Sequence, residues 1–229
     1  MLRDAPQLEG SHPAEVLAWA AHNFEGRIAL ATSFGVEDCV LMSMAAEAGL
    51  KLSYFTLDTG VLFPETYALW RQVEQKYGVK VEGVLPAQTI VEQAAAHGDA
   101  LWAREPNRCC NLRKVEPLKQ HLSKFAAWVT AIRRDQSKDR ANAAVVEHDA
   151  RFGLVKVNPL VAWSEKDVWR WVHEHDVPYN PLHDRGYPSI GCVHCTSPVK
   201  PGEDPRSGRW RGSEKTECGL HVDQPEAKS

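Results

Sequence analysis

The chain has 229 residues, 43% of them hydrophobic and 25% charged, with a formal net charge of −3. That length suits one domain with a tail, and the composition is that of an ordinary globular protein. A chain so close to neutral has no global field to draw it to nucleic acid or a membrane surface, so neither is expected as a partner. Any anionic ligand must be held by local cations. Asp4 stands near the N-terminus and no apolar run follows it, so no signal peptide is expected. No stretch approaches the ~18 consecutive apolar residues of a membrane span. Six cysteines without a secretion signal point to a reducing, cytoplasmic setting. There, thiols bind metal or do chemistry more often than they form structural disulfides.

The predicted elements alternate along the first half. Residues 27–31 read as a buried strand, followed by the turn Ser33-Phe34-Gly35 and a helix bearing Val36, Val40, Leu41 and Met44. Residues 52–56 read as a second strand, which ends in Leu57-Asp58-Thr59-Gly60. A helix follows from Pro64 to about Tyr77, with Pro64 suited to its first turn. Residues 79–84 form a third strand, 88–97 a third helix and 127–132 a further strand. This alternation with short links implies a mostly parallel α/β sheet with right-handed crossovers. Ligands of such sheets bind beyond the carboxyl ends of the strands, and Ser33, Asp58 and Arg133 all follow strands at that edge. Residues 164–167, Ser-Glu-Lys-Asp, have the form of a capping box and open a helix to about Glu174. Residues 178–213 are rich in Pro, Gly, Ser and Arg without periodicity, as in a long functional loop or a partly mobile tail.

Five constellations carry chemistry. The loop Ser33-Phe-Gly-Val-Glu-Asp38 lies between strand and helix, where Gly35 could let backbone N–H groups approach a phosphate. An ordinary strand–helix turn capped by Ser33 is the plainer reading. Asp58 could accept a hydrogen bond from a ribose hydroxyl or an adenine amine, or simply close an Asx turn. Arg133 and Arg134, with Arg140 beyond, suit phosphate or sulfate recognition, as do Arg206 and Arg209; solvated charge runs are the alternative. Cys109-Cys110 and Cys192-x-x-Cys195 make two thiolate pairs. Adjacent cysteines rarely converge on one small ion, whereas an iron–sulfur cubane presents several iron corners. Arg113 and Lys114, nearby, would offset the charge of a thiolate-bound cluster. Finally, Cys218 stands alone near the end of the chain with Lys215 and His221 close by, a setting for a competent nucleophile or an incidental exposed thiol. Cys39, among Val36, Val40 and Leu41, reads as a small core residue.

Taken together, these segments resemble the assimilatory sulfonucleotide reductases, in particular the iron–sulfur, thioredoxin-dependent adenylyl-sulfate (APS) reductases. The resemblance rests on Ser33–Asp38, Leu57–Gly60, Cys109-Cys-Asn-Leu-Arg-Lys114, Arg133-Arg-Asp-Gln-Ser137, residues 180–192, Cys195-Thr196, Arg206-Ser-Gly-Arg-Trp210 and Glu217-Cys-Gly-Leu-His221. It covers about residues 30 to 221. It implies a Rossmann-like adenine nucleotide α-hydrolase fold, with a nucleotide-binding region over 1–180. Residues 181–229 would then be a cluster-completing loop and mobile catalytic tail of the same domain. It further implies a [4Fe-4S] cluster on Cys109, Cys110, Cys192 and Cys195, with Cys218 as nucleophile. Lys114, Arg133, Arg134, Arg206, Arg209 and His221 would bind the phosphosulfate, while Ser33, Gly35 and Asp58 would line the nucleotide pocket. The tail ends soon after His221, so little is expected to anchor it.

The reaction implied is reduction of APS to sulfite and AMP through an S-sulfocysteine on Cys218. Reduced thioredoxin or a glutaredoxin-like protein would supply the electrons, in sulfate assimilation toward cysteine. A homo-oligomer is compatible with the sequence. The nearest alternative is a reductase of 3′-phospho-APS (PAPS), or of both nucleotides. The extra phosphate would need extra cations near the ribose, and Glu37-Asp38 after the loop looks like the APS side of the family. An ATP-dependent tRNA-thiolating enzyme predicts a Ser-Gly-Gly-x-Asp-Ser loop, which residues 33–38 do not form. A zinc-binding module would leave the arginines and Cys218 without a role.

Overall fold

A computed structural model of the protein describes residues 5–221. Its six strands are β1 (Ile28–Ala31), β2 (Ser53–Leu57), β3 (Val81–Val84), β4 (Ala127–Val129), β5 (Val146–Asp149) and β6 (Leu154–Val157). The helices are α1 (Pro13–Asn23), α2 (Val36–Glu47), α3 (Pro64–Tyr77), α4 (Ile90–His97), α5 (Leu101–Arg104), α6 (Pro106–Cys110), α7 (Glu116–Leu122) and α8 (Glu165–Glu174). The strands form one sheet in the order β3-β2-β1-β4-β6-β5. All neighbours run parallel except β5, which pairs antiparallel with β6 at the edge. This is the mostly parallel α/β sheet that the alternating sequence implies.

The period of two along each strand divides the core between the faces of the sheet. Ile28 and Leu30 of β1, Ala127 and Val129 of β4 and Val157 of β6 join one cluster with side chains of α1, α2, α3 and α8. Ala29, Phe55 and Trp128 point the other way and pack with Leu118 and Leu122 of α7. Phe125, Phe152 and Leu220 lie against this second cluster. Burying both faces explains why β1 and β4 read as continuous apolar runs. Helix α2 is buried along nearly all its length, and Cys39 is a fully buried core residue there.

Local signals set several boundaries. Pro64 opens α3 and Gly78, with φ at 64°, closes it. Thr89 and Glu92 cap α4 reciprocally, as Ser164 and Asp167 cap α8. Strand β4 stops at Val129, three residues short of the predicted end. Thr130 still donates its N–H to Val157, but the chain then leaves the sheet as Ala131 and Ile132 turn into the cavity described below. The β5–β6 hairpin is not expected from the sequence, because Glu147, His148 and Asp149 interrupt its apolar pattern. Residues 178–213 contain only short turns and two isolated bridges, Leu62 to Cys192 and Thr196 to Arg209. The region is nonetheless tied to the core: buried Asn180 donates to Thr66 Oγ1 at 3.1 Å and accepts from the N–H of Leu182 at 3.0 Å. No helix among the described residues is long and apolar enough to cross a membrane.

Candidate active site

The carboxyl ends of β1, β2 and β4 open into one cavity of about 1240 Å³, solvent at its mouth included. Thr32 and Ser33 enter it after β1, Thr56 and Leu57 at the end of β2, and Thr130 to Ile132 after β4. The opposite wall comes from Gly191, Arg206, Arg209 and Trp210 of the irregular region, and from Glu217, Cys218 and His221 of the tail. Lys114 reaches in from a single π-helical turn, Asn111–Val115, that follows α6 directly. Such turns recur at functional sites because they displace side chains from the regular helical array.

The loop after β1 closes on itself. The Asp38 carboxylate takes the N–H of Ser33 at 2.7 Å, the Ser33 hydroxyl at 2.8 Å and the N–H of Gly35 at 3.1 Å. The backbone donors expected to face a phosphate therefore face the chain's own carboxylate. Burial pushes the Asp38 carboxyl up to about 6, against the pull of those three donors. The left-handed residue of the loop is Phe34, with φ at 58°, and not Gly35, at −66°. Ser33 and Gly35 do line the cavity.

Three other expected ligand-binding residues are turned toward structure. Asp58 closes an Asx turn, accepting from the N–H of Gly60 at 2.9 Å and from the Tyr67 hydroxyl at 2.6 Å, and it is not among the cavity's lining residues. Buried Arg133 pairs with Glu37 and with Asp135. Arg134 donates to Glu9 at 3.0 Å and to the Ala143 carbonyl at 2.8 Å. Neither arginine lines the cavity, whereas Arg140, further along the same loop, does. A charge run shows which arginines exist, but not where their acceptors stand in the fold.

Lys114 and Arg209 are the cations with capacity left. The Lys114 ammonium makes no hydrogen bond or ion pair with any described residue. Burial works against its charge, but the facing sulfurs of Cys192, Cys218 and Cys110 hold it well above the ordinary lysine range. Arg209 stacks over the Trp210 ring at 4.5 Å and reaches Ser189 Oγ at 3.3 Å, while its buried Nε has no partner. Gly191 gives it room, because a Cβ there would lie 2.3 Å from Arg209 Nη2. Trp210 is left-handed, with φ at 45°, a costly backbone state that clusters at functional sites.

The tail is held more firmly than expected. Glu217 is 1% exposed and accepts from Arg140 Nε and Nη2, both at 3.0 Å, and from Arg206 Nη2 at 3.0 Å. Arg151 donates to the carbonyls of Gly219 at 2.9 Å and Leu220 at 2.6 Å. Leu220 itself packs on the second core cluster. Between these anchors, partly exposed Cys218 borders the cavity. His221 stacks on Trp128 at 5.8 Å, and its buried Nδ1 has no partner. Burial, reinforced by Arg140, Lys156, Arg151 and Arg206, drives its imidazole well below the usual range, which favours the neutral form. Glu217 is marked in the sequence only by its adjacency to Cys218, and nothing local marks Arg151.

The cysteine pairs meet in a second, smaller cavity. Cys109, Cys110, Cys192 and Cys195 all line it, and Lys114, Arg209 and Trp210 border both cavities. Thr59 Oγ1 lies 3.3 Å from Cys192 Sγ, and Gln93 Nε2 lies 3.8 Å from Cys109 Sγ. Arg113 braces this wall, donating from Nε to the Thr59 carbonyl at 2.9 Å and from Nη1 to Gln93 at 3.1 Å. Among the described residues, no group of three or more His, Cys, Asp or Glu side chains is placed to hold a single metal ion.

Comparison with known proteins agrees with this geometry. Residues 27–198 match the family described as "Phosphoadenosine phosphosulfate reductase domain". The chain is 46% identical over 217 residues to a protein of Salinibacter ruber named adenosine 5′-phosphosulfate reductase, covering 94% of this chain and 86% of that one. It is also 46% identical over 221 residues to a protein of Gloeobacter violaceus named phosphoadenosine 5′-phosphosulfate reductase, covering 95% and 92%. Among solved structures, a phosphoadenylyl-sulfate reductase from Candida auris aligns with a TM-score of 0.74 at 32% identity, over 86% of this chain and 94% of that one. With a cavity at the carboxyl edge of a parallel sheet, a family match over most of its length and relatives aligned nearly end to end, the chain belongs to the phosphoadenosine phosphosulfate reductase domain family.

Proposed function

We propose that this protein reduces adenylyl sulfate to sulfite and AMP, with Cys218 as the nucleophile. The observation that carries the reading is one cavity bordered by a lone tail thiol, the uncommitted ammonium of Lys114, the half-satisfied guanidinium of Arg209 and the neutral imidazole of His221. The relatives named APS reductase, aligned over most of their length, support the same substrate.

In this mechanism the Cys218 thiolate attacks the sulfur of bound APS. A sulfur–sulfur bond forms, the bond from sulfur to the AMP phosphate oxygen breaks, and AMP leaves with the electron pair. Lys114 and Arg209 neutralise charge moving onto the phosphosulfate oxygens, which favours the transition state over the bound substrate. His221 donates a hydrogen bond to the same oxygens. A dithiol protein of the thioredoxin or glutaredoxin kind then attacks Cys218 Sγ and expels sulfite. Its second thiol resolves the mixed disulfide and restores the Cys218 thiol. The two electrons come from that dithiol.

A [4Fe-4S] cluster on Cys109, Cys110, Cys192 and Cys195 belongs to the same reading. The four side chains share one cavity, and two of them are adjacent in sequence. That donor set suits a cubane better than one zinc ion. When bound, the cluster would supply structural support and a local electrostatic influence on Lys114. Iron and acid-labile sulfide, with little zinc, are expected in anaerobically purified protein; zinc without sulfide would overturn this assignment.

The deciding experiment is sulfite release with reduced thioredoxin, supplying APS and PAPS in parallel. A strong preference for APS, lost by roughly three orders of magnitude or more in Cys218→Ser, is expected for removal of a covalent nucleophile. Turnover by Cys218→Ser would sink the mechanism. Preference for PAPS, or parity, would favour the second reading, which the relatives from Gloeobacter violaceus and Candida auris support.

A further inference from the structure

We propose that Glu217 is a positioning residue for Cys218: its carboxylate is an internal anion that latches the tail onto Arg140 and Arg206. The inference rests on the reading of Cys218 as the nucleophile, and it deepens that reading. Arg140 grips Glu217 in a fork, Nε to Oε1 and Nη2 to Oε2, both at 3.0 Å. Arg206 meets Oε2 from another side at 3.0 Å, and the Ser137 hydroxyl reaches Oε1 at 3.3 Å. A carboxylate this deeply buried would be prohibitively costly without paired cations, so the tail can seat only when the fork is made. The bidentate geometry fixes direction as well as distance.

Cys218 is the next residue, and the Arg151 clamp on Gly219 and Leu220 follows at once. The thiol is thus suspended between two arginine clamps. Together they set where it points. The latch also divides the cations of the cavity. Arg140 and Arg206 face the tail's carboxylate, while Lys114 and Arg209 remain for the substrate's anionic oxygens. Arg206, assigned to the phosphosulfate by resemblance, acts in this seated arrangement through Glu217.

The test separates position from chemistry by reading Cys218 alkylation and turnover independently. Full-length, anaerobically purified protein is treated with N-ethylmaleimide, and modification of Cys218 is followed by peptide mass spectrometry. In Glu217→Gln, two guanidiniums lose their anion, and Cys218 is expected to react about tenfold faster or more. Sulfite release should fall roughly 100-fold in kcat, the scale of an ångström-level misplacement. KM for APS should stay within about threefold, because Lys114 and Arg209 are intact. Arg140→Lys, which keeps the charge but loses the fork, should move both readouts the same way, and Glu217→Asp should restore part of each. These two variants carry the test if Glu217→Gln fails to fold. Alkylation at the wild-type rate in the variants, or faster alkylation with unchanged kcat, would overturn the latch. Turnover by Cys218→Ser would instead sink the nucleophile reading, leaving the alkylation rates to judge the latch alone.

Discussion

The strand–helix loops beside the cavity and its tail end are built on opposite plans. At the strand–helix end, every polar group singled out by sequence is already paired: Asp38 with Ser33 and Gly35, Asp58 with Gly60 and Tyr67, Arg133 with Glu37 and Asp135. At the tail end, polar groups have capacity to spare: Lys114 is unpaired among the described residues, and Arg209 Nε and His221 Nδ1 are buried without partners. Buried polar atoms are nearly always satisfied in a stable fold. Where they are not, a ligand is the natural complement. The first end frames the site, and the second end has the geometry to act.

The sharpest test of this contrast exchanges one cation from each end. Lys114→Ala should reduce kcat/KM for APS by roughly 100-fold or more, the scale seen when one preorganised charge-stabilising group is removed, with little change in melting temperature. Arg133→Gln should do the reverse. It removes the cation from the largely buried Glu37 carboxylate, leaving only the Gln136 amide at 3.0 Å, and should cost about 3 kcal/mol of stability, measured by denaturant unfolding, with a smaller loss in activity. If Arg133→Gln proved fully stable but inactive, the division between frame and acting groups would break. A smaller effect is expected at Asp38. Burial pushes its carboxyl up to about 6 in the folded chain, from an ordinary aspartate value of 3.8, so folding favours the protonated form. The stability it contributes is present below the unfolded value and is lost as pH rises through about 6. Asp38→Asn should therefore flatten the melting temperature between about pH 4 and pH 6.5 relative to wild type. Parallel profiles for the two proteins would refute the assigned shift.

Much of this architecture is written locally. Strands β1 and β4 are apolar runs, Pro64 and the run to Tyr77 mark α3, and the Ser164–Asp167 box marks α8. What local reading lacks is partnership across distance. Arg133 and Glu37 are 96 residues apart, and Arg140 and Glu217 are 77 apart. No windowed pattern shows which guanidinium will find a carboxylate and which will be left for a ligand. The β5–β6 hairpin escaped for a related reason. Lys156 and Asn158 cover the charge of Glu147 only once the hairpin has formed. The cysteine pairs, by contrast, were legible by spacing alone, because adjacent thiols are unusual whatever surrounds them.

Leu220 carries a consequence beyond the site. The residue that follows Cys218 by two positions shares its seat with Phe125, Phe152, Leu118 and Trp128 on the underside of the sheet. Presentation of the thiol is therefore partly a packing equilibrium, set by side chains that touch no reactant. Substitutions at Phe125 or Phe152 could retune how long the tail stays seated without altering a single charge. A lineage adapting to a colder or hotter habitat could adjust its catalytic cycle there, in the hydrophobic interior, while the chemistry above stays fixed.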